Sequence, residues 1–251
     1  MSPEQESPFP VPPSPVTRTG IVREALTYTA SYCEENIYLI LRDHVDPSQV
    51  DQYTVVFISN PQKCVPLFFQ RIAQGNLPVC WDYHVILLHT SPATNLTTVY
   101  DFDTRLSPFP LSFRDYFLPT LNGPSPWPDW PAEVVEAIQE TIAKNPRRYK
   151  LIKGGDYFRL FASSRKHMLK MITSPMKEEF PRTAGKGTET VIKTKDVEIY
   201  ISPPPTYPPI RTEESECSFQ RFVDFSSSWS DCEYGRIVDE WAFLSEFSDS
   251  Y

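Results

Sequence analysis

Positive charge is in short supply in this chain. Its 24 Lys and Arg stand against 32 Asp and Glu, leaving a net charge of -8 and a pI near 5.1. No Lys/Arg run is interleaved with aromatics, so the electrostatic footprint that nucleic-acid backbones require is missing, and binding to them is not expected. No stretch approaches the roughly 18 consecutive apolar residues of a membrane span. The N-terminus has neither a basic segment nor an apolar one of signal-peptide type. A soluble protein of the cytosol or nucleus, without membrane attachment, is therefore expected. Only eight glycines are present, and Lys186-Gly187-Thr188 lacks the earlier glycines of a phosphate-cradling loop, which argues against nucleotide binding. Five cysteines, Cys33, Cys64, Cys80, Cys217 and Cys232, are scattered without CxxC spacing. That excludes a disulfide framework and a thiolate zinc site and suggests reduced thiols. Four histidines and no ligand-spaced acidic cluster complete the case for neither metal nor cofactor.

What the chain has in quantity is apolar and aromatic material, 40% and 14% of 251 residues, enough for a sizeable core. It also has 26 prolines, and they cluster: six in residues 3–15, seven in 108–131 and five in 203–209. Proline interrupts regular structure, so these clusters mark boundaries. Residues 1–18 have no apolar period and read as a disordered or polyproline tail, a possible ligand for an SH3-like partner. Residues 19–251 read as one domain with a Lys-, Thr- and Gly-rich solvated insertion at 174–199, of which 191–201 alternates enough for an added hairpin. Tyr53–Ser59 is an unbroken β-branched and aromatic run ended by Asn60-Pro61, a buried strand. The runs 79–89 and 97–103, joined by a short proline turn, read as a hairpin. Residues 132–143 read as an amphipathic helix, 149–152 as a strand, and 241–247 as a short terminal helix. No internal repeat is visible.

Two residues before Cys33 stands Ser31, and Glu34 follows three places on, which is capping-box spacing at a helix start. The helix predicted from there places Cys33, Ile37, Ile40, Leu41 and His44 on one face, turned toward the protein. A thiol in the first turn feels the free amides and positive end of the helix, which favour an anion. Glu34 and Glu35 oppose this by repulsion, so the thiol needs a cationic partner.

The hairpin supplies one. With Pro92-Ala93 as the loop, His84 lies across from Asp101 at a Cβ separation of about 5 Å. A register shifted by two residues brings Asp103 opposite instead, and pattern alone does not separate the two. Strand alternation sends His89 to the other face. Cys33, His84 and Asp101 are then a nucleophile, a general base and acid, and an orienting carboxylate. A lone cysteine is more often a small buried hydrophobe and a lone strand histidine is usually structural. It is their conjunction with a helix start and a cross-strand carboxylate that favours a cysteine hydrolase.

The segments Cys33-Glu34-Glu35-Asn36-Ile37, Val56-Phe57-Ile58-Ser59-Asn60 and Trp81-Asp82-Tyr83-His84-Val85-Ile86-Leu87-Leu88-His89 resemble the protein N-terminal glutamine amidohydrolases. Tyr100-Asp101-Phe102-Asp103-Thr104, Phe161–Met168 and Pro203–Pro208 look like later blocks of that family in the right order. The resemblance spans roughly 28–110, 149–170 and 201–247, leaving the tail, 119–148 and 174–199 without counterparts. It implies an α/β (α+β) fold, an α-β-α sandwich with a mainly antiparallel sheet and a papain-like or transglutaminase-like core. It implies a monomer without cofactor that converts an N-terminal glutamine to glutamate with release of ammonia, making a secondary destabilising residue for the N-degron pathway. Carried over residue by residue, the nucleophile falls on Cys33, the histidine on His84 and the aspartate on Asp101.

Recognition of a free α-ammonium calls for carboxylates near Cys33, and Glu34, Glu35 and Asp82 are the candidates, each with a bland alternative in capping or solvation. Trp81 and Tyr83 are candidates for pocket walls, although core packing suits them as well. Arg165 and His167 fall in a matching block with no assignable chemistry. A papain-like peptidase or transglutaminase is the competing enzymatic reading. A non-catalytic adaptor using the proline tail is the competing reading of another class.

Overall fold

The computed structural model describes residues 21–181, 188–226 and 234–248, with backbone only for 175–193. The elements run α1 (Cys33–His44), β1 (Tyr53–Ser59), β2 (Val65–Leu67), β3 (Val79–Trp81), β4 (His84–Thr90), β5 (Thr97–Tyr100) and β6 (Leu111–Ser112). They continue with α2 (Phe113–Asn122), α3 (Ala132–Lys144), β7 (Arg148–Lys153), α4 (Gly154–Leu160), β8 (Leu169–Pro181), β9 (Thr188–Tyr200), α5 (Phe219–Val223), β10 (Arg236–Asp239) and α6 (Glu240–Phe247). The proline tail predicted at 1–18 lies outside the described residues.

The main sheet has the order β10-β7-β1-β4-β5-β6, and all its described pairings are antiparallel. β1 lies inside it, and the reason is its composition: Val55, Val56, Phe57 and Ile58 are apolar on both faces and fully buried. Val55 and Phe57 join a core with Ile37, Ile40 and Leu41 of α1, Tyr157 of α4 and Phe222 of α5. Val56 and Ile58 join a second core with Tyr116 and Phe117 of α2 and Phe243 of α6. Helices thus cover both faces, and each large side chain so buried contributes about 1.5–3 kcal/mol.

Several expectations are corrected. The run 79–89 is not one strand: β3 pairs with β2 in a separate ribbon, and the chain breaks at Asp82. There the Asp82 carboxylate accepts the Tyr83 amide at 2.9 Å and its carbonyl accepts the Ser59 hydroxyl at 2.7 Å, which diverts both groups from a ladder. In the β4–β5 hairpin Leu87 faces Tyr100 and Thr90 faces Thr97, two residues from the register that sets His84 against Asp101. The turn is longer than Pro92-Ala93 alone because Asn95, at φ 57°, closes it with a bond from its amide to the Ser91 carbonyl. α2 was hidden by its proline-rich surroundings. Ser112 caps it by accepting the Asp115 amide at 3.1 Å, and Gly123 ends it at φ 82°. The hairpin read at 191–201 is longer, with β8 and β9 paired from Leu169–Tyr200 to Pro181–Thr188. Among the described residues no helix is long and apolar enough to cross a membrane.

Candidate active site

The start of α1 departs from the capping-box reading. Ser31 sits at φ 67°, Tyr32 is the N-cap, and no side chain caps the helix. Asn36 does the local work instead, its amide side chain bonding both the carbonyl and the amide of Thr29 at 2.9 and 2.8 Å. Freed from capping, Glu34 and Glu35 turn inward and are fully buried. Cys33, Ile37, Ile40 and Leu41 are buried as expected, whereas His44, at the helix end, is exposed.

Burying two carboxylates in one turn requires partners, because an uncompensated buried charge is costly. Glu35 receives Arg165, whose Nε and Nη2 donate to its two oxygens at 2.9 and 2.8 Å. Arg165 spends its remaining donors on the carbonyls of Pro205, Tyr207 and Pro208. Glu34 is less well served. Its Oε2 accepts the Tyr83 hydroxyl at 3.0 Å and lies 3.6 Å from the Cys33 sulfur. Its Oε1 lies 3.4 Å from His167 Nε2, and neither of those two atoms has a well-formed hydrogen bond. His167 is stacked on Phe219 with ring centroids 3.9 Å apart. Arg165 and His167 thus acquire the roles that the sequence left blank, through contacts 130 or more residues away along the chain.

His84 opens β4 and is fully buried, and its Nε2 meets Asp101 Oδ1 at 2.9 Å. The shifted register still gives it this partner because the ladder stops at Tyr100 and the chain turns at once. The Asp103 amide then bonds Asp101 Oδ1 at 2.9 Å, and the Tyr116 hydroxyl bonds Oδ2 at 2.7 Å. Trp81 stacks on the His84 ring with centroids 5.1 Å apart. Burial by itself would lower the His84 pKa, but the charge and hydrogen bond of Asp101 outweigh it and hold the imidazole above its ordinary value. Burial would likewise raise Asp101, and the His84 charge with the bonds from His84, Tyr116 and the Asp103 amide holds it below the usual carboxylate range. His84 Nδ1 is buried and has no hydrogen-bond partner among the described residues.

The Cys33 sulfur shares a core with Val85 of β4, whose backbone amide works in favour of the thiolate. Its own hydrogen bond goes to Glu34 rather than to His84. Burial first, then Glu34 and Asp103, push the thiol well above its ordinary value, so the protein carries it as SH. A cavity of about 370 Å³ opens here, lined by Cys33, Trp81, Asp82, Tyr83, Asp103 and His167 among others, within the range of small-molecule sites. Trp81 and Tyr83 therefore do stand on a pocket wall. One ligand atom each from His84, Asp101 and Asp103 lies within 4.8 Å of the others. Within this group His84 Nε2 and Asp101 Oδ1 are already bonded to each other.

A thiol, an imidazole held by a carboxylate, and a walled pocket beside free helix amides are the parts needed to open an amide. The comparisons place the chain among the amidases. Residues 28–247 match the N-terminal glutamine amidase family. The chain is similar to the protein N-terminal glutamine amidohydrolase of Homo sapiens, 31% identical over 207 residues, covering 80% of this chain and 79% of the relative. It is also similar to that of Bos taurus, 29% identical over 229 residues with 90% and 89% covered, and that of Danio rerio, 31% identical over 202 residues with 78% of each covered. It belongs to the N-terminal glutamine amidase family.

Proposed function

We propose that the protein is a cysteine amidohydrolase that converts the side-chain amide of an N-terminal glutamine, in proteins and peptides, to a carboxylate with release of ammonia. Family membership supports the reaction. The observation that carries the mechanism is the buried His84 ring, anchored at Nε2 by Asp101 with Nδ1 left without a partner, next in the strand to Val85, which shares a core with Cys33.

In this reading His84 Nδ1 takes the proton of Cys33, and Asp101 fixes the tautomer and stabilises the imidazolium. The sulfur attacks the side-chain amide carbon, and the oxyanion is met by first-turn amides of α1, which have no intrahelical acceptors. The imidazolium returns its proton to the leaving nitrogen, ammonia departs, and water activated by His84 cleaves the thioester to glutamate. No cofactor enters. The fold is a relative of the papain-like and transglutaminase α-β-α sandwiches, a single catalytic domain over 19–251 acting as a monomer in the cytosol or nucleus. The product, an N-terminal glutamate, is a secondary destabilising residue of the N-degron pathway.

Selection of a chain terminus requires that the α-ammonium be held near the sulfur. A wall alone rejects asparagine, one methylene shorter, by only about 1–3 kcal/mol. A fixed ammonium converts that difference into misplacement of the reacting carbon.

The test is a Gln-initiated peptide given to reduced enzyme, with ammonia and the amide-to-acid mass change as readouts. Turnover by the wild type and none by Cys33→Ala or His84→Ala is expected. Equal reaction of an N-acetylated peptide would favour the peptidase or transglutaminase reading instead, and loss of function only on removal of residues 1–18 would favour an adaptor.

A further inference from the structure

Four acidic side chains stand on the first turn of α1 or on the wall of the cavity beside it, and their surroundings differ enough to tell them apart. Glu35 has both oxygens engaged by Arg165 and is fully buried. Glu34 is also fully buried; one of its oxygens takes the Tyr83 hydroxyl, and the cavity wall in front of it is made by Cys33, Tyr83 and His167. Asp82 stands on the wall but is exposed, and its Oδ1 is held by the Tyr83 amide.

Asp103 differs from all three. It lines the same cavity as Cys33 yet is only 4% exposed. Its Oδ1 accepts the Tyr28 hydroxyl at 2.6 Å, and among the described residues its Oδ2 has no hydrogen bond. Its backbone is fixed on both sides, the amide by Asp101 at 2.9 Å and the carbonyl by the Arg71 amide at 2.7 Å. Arg71 lies over the Tyr28 ring, 5.7 Å from its centroid, and no described cation makes an ion pair with Asp103.

Resting on the deamidase reading above, we infer that Asp103 is the specificity residue that receives the substrate's α-ammonium, through the oxygen that Tyr28 leaves free. A rigid, nearly dry carboxylate with one open acceptor suits a small cation with three donors, since charge-assisted hydrogen bonds are the strong ones. The placement has a second effect. Asp103 is one of the two charges that, together with burial, hold the thiol protonated. A cation seated on it removes that opposition at the moment a correct terminus arrives, so recognition and activation of the sulfur share one residue.

Asp103→Asn keeps the shape and removes the charge. The measurement is kcat/KM of wild type and variant on a Gln-initiated peptide and on the same peptide lacking the α-amino group, with thermal unfolding as a check on folding. The expected result is a fall of roughly 10- to 100-fold on the free-amine peptide, the value of a hydrogen bond to a charged group. The desamino peptide is expected to lose nothing, and to gain to the extent that the Asp103 charge opposed the thiolate, so the preference for an amine collapses. A merely structural role for Asp103 would lower both together. If the variant discriminates as the wild type does, the assignment to Asp103 is overturned while the deamidase reading stands; if the wild type releases no ammonia, both fall. Should D103N not fold, Tyr28→Phe is the second variant. It removes the bond that orients the carboxylate and is expected to raise KM severalfold for the free-amine peptide but not for the desamino peptide, and an unchanged KM for the free-amine peptide overturns the assignment.

Discussion

The Tyr116 hydroxyl donates to Asp101 Oδ2 at 2.7 Å, the oxygen opposite the one that His84 occupies. One helix of the second core thereby fixes the carboxylate that holds the His84 ring. Removing the donor leaves a buried charge one bond short, at a cost of about 1.5–3 kcal/mol. Tyr116→Phe is therefore expected to lower kcat/KM on a Gln-initiated peptide by roughly 10- to 100-fold. Asp101→Asn, which presents the wrong hydrogen-bond partner to the ring, is expected to approach the ~10⁴-fold loss seen for such a change in a triad protease. Asp103→Asn should fall well short of that. Equal losses for the two aspartates would remove Asp101 from its special position.

The acid limb of kcat/KM should lie above the pH of an ordinary histidine. His84 is held above its usual value of about 6.5 by Asp101, and an imidazolium cannot take the proton of Cys33. Activity is then lost as pH falls through the raised His84 value. The same pair affects stability. Its His84 share is fully present below about pH 6.5 and fades as pH rises through the folded-state value, whereas its Asp101 share fades as pH falls through a value below the carboxylate range. A pH–rate profile with its acid limb below 6.5 would show that Asp101 does not act on the ring in this way.

Breaking the Glu35–Arg165 pair should damage the fold itself. Both side chains are buried, so Arg165→Ala leaves an isolated charge beneath α1, a loss of about 3–5 kcal/mol. Glu35→Leu combined with Arg165→Met should recover part of it, since an apolar pair of similar volume leaves no charge behind. Denaturant unfolding of the single and double variants measures this, and strict additivity would contradict a coupled pair.

Alkylation should rank the thiols against intuition about nucleophiles. Cys33 is buried and its thiol is pushed well up by burial, Glu34 and Asp103. Cys80 is exposed, but burial of part of its surface and the neighbouring Cys64 raise it to about 11. Cys217 is exposed, and although burial works against it, hydrogen bonds from Ser164 bring it below its ordinary value. At neutral pH and without substrate, iodoacetamide followed by peptide mapping should label Cys217 ahead of both Cys80 and Cys33.

Gly235→Ala tests a position with no chemistry. At φ 99° its added Cβ would lie 2.4 Å from the Leu151 carbonyl oxygen. Strain of about 1–3 kcal/mol is expected at the β10–β7 edge, visible as a lower denaturation midpoint with an unchanged slope.

The order and type of the long elements were legible because each has one dominant cue. Tyr53–Ser59 is apolar throughout, and residues 132–143 keep a helical period. Cys33 was legible as the head of a helix, but through a box that does not form: Ser31 adopts a left-handed conformation, which spacing cannot express. Asp101 is His84's partner in a register that pairwise counting assigns to Asp103, because the strand ends at Tyr100 and a turn takes over. α2 was missed since Pro119 lies inside it, and proline statistics argue against a helix there. Arg165 and His167 could not be read at all, because their partners lie near the opposite end of the chain and nothing local signals a buried ion pair. The same holds for the contrast between Asp103 and Asp82, identical side chains with similar neighbours that differ only in tertiary enclosure.

Arg165 fastens the first turn of α1 to the carbonyls of residues 205–208, which are made long after the thiol leaves the ribosome. A chain interrupted before Pro208 would hold the sulfur, ring and carboxylate yet lack the acceptors that complete this clamp. Synthesis order therefore delays competence until residues 205–208 have been made, and a single backbone cut in that distant loop should silence the centre without touching any residue in it.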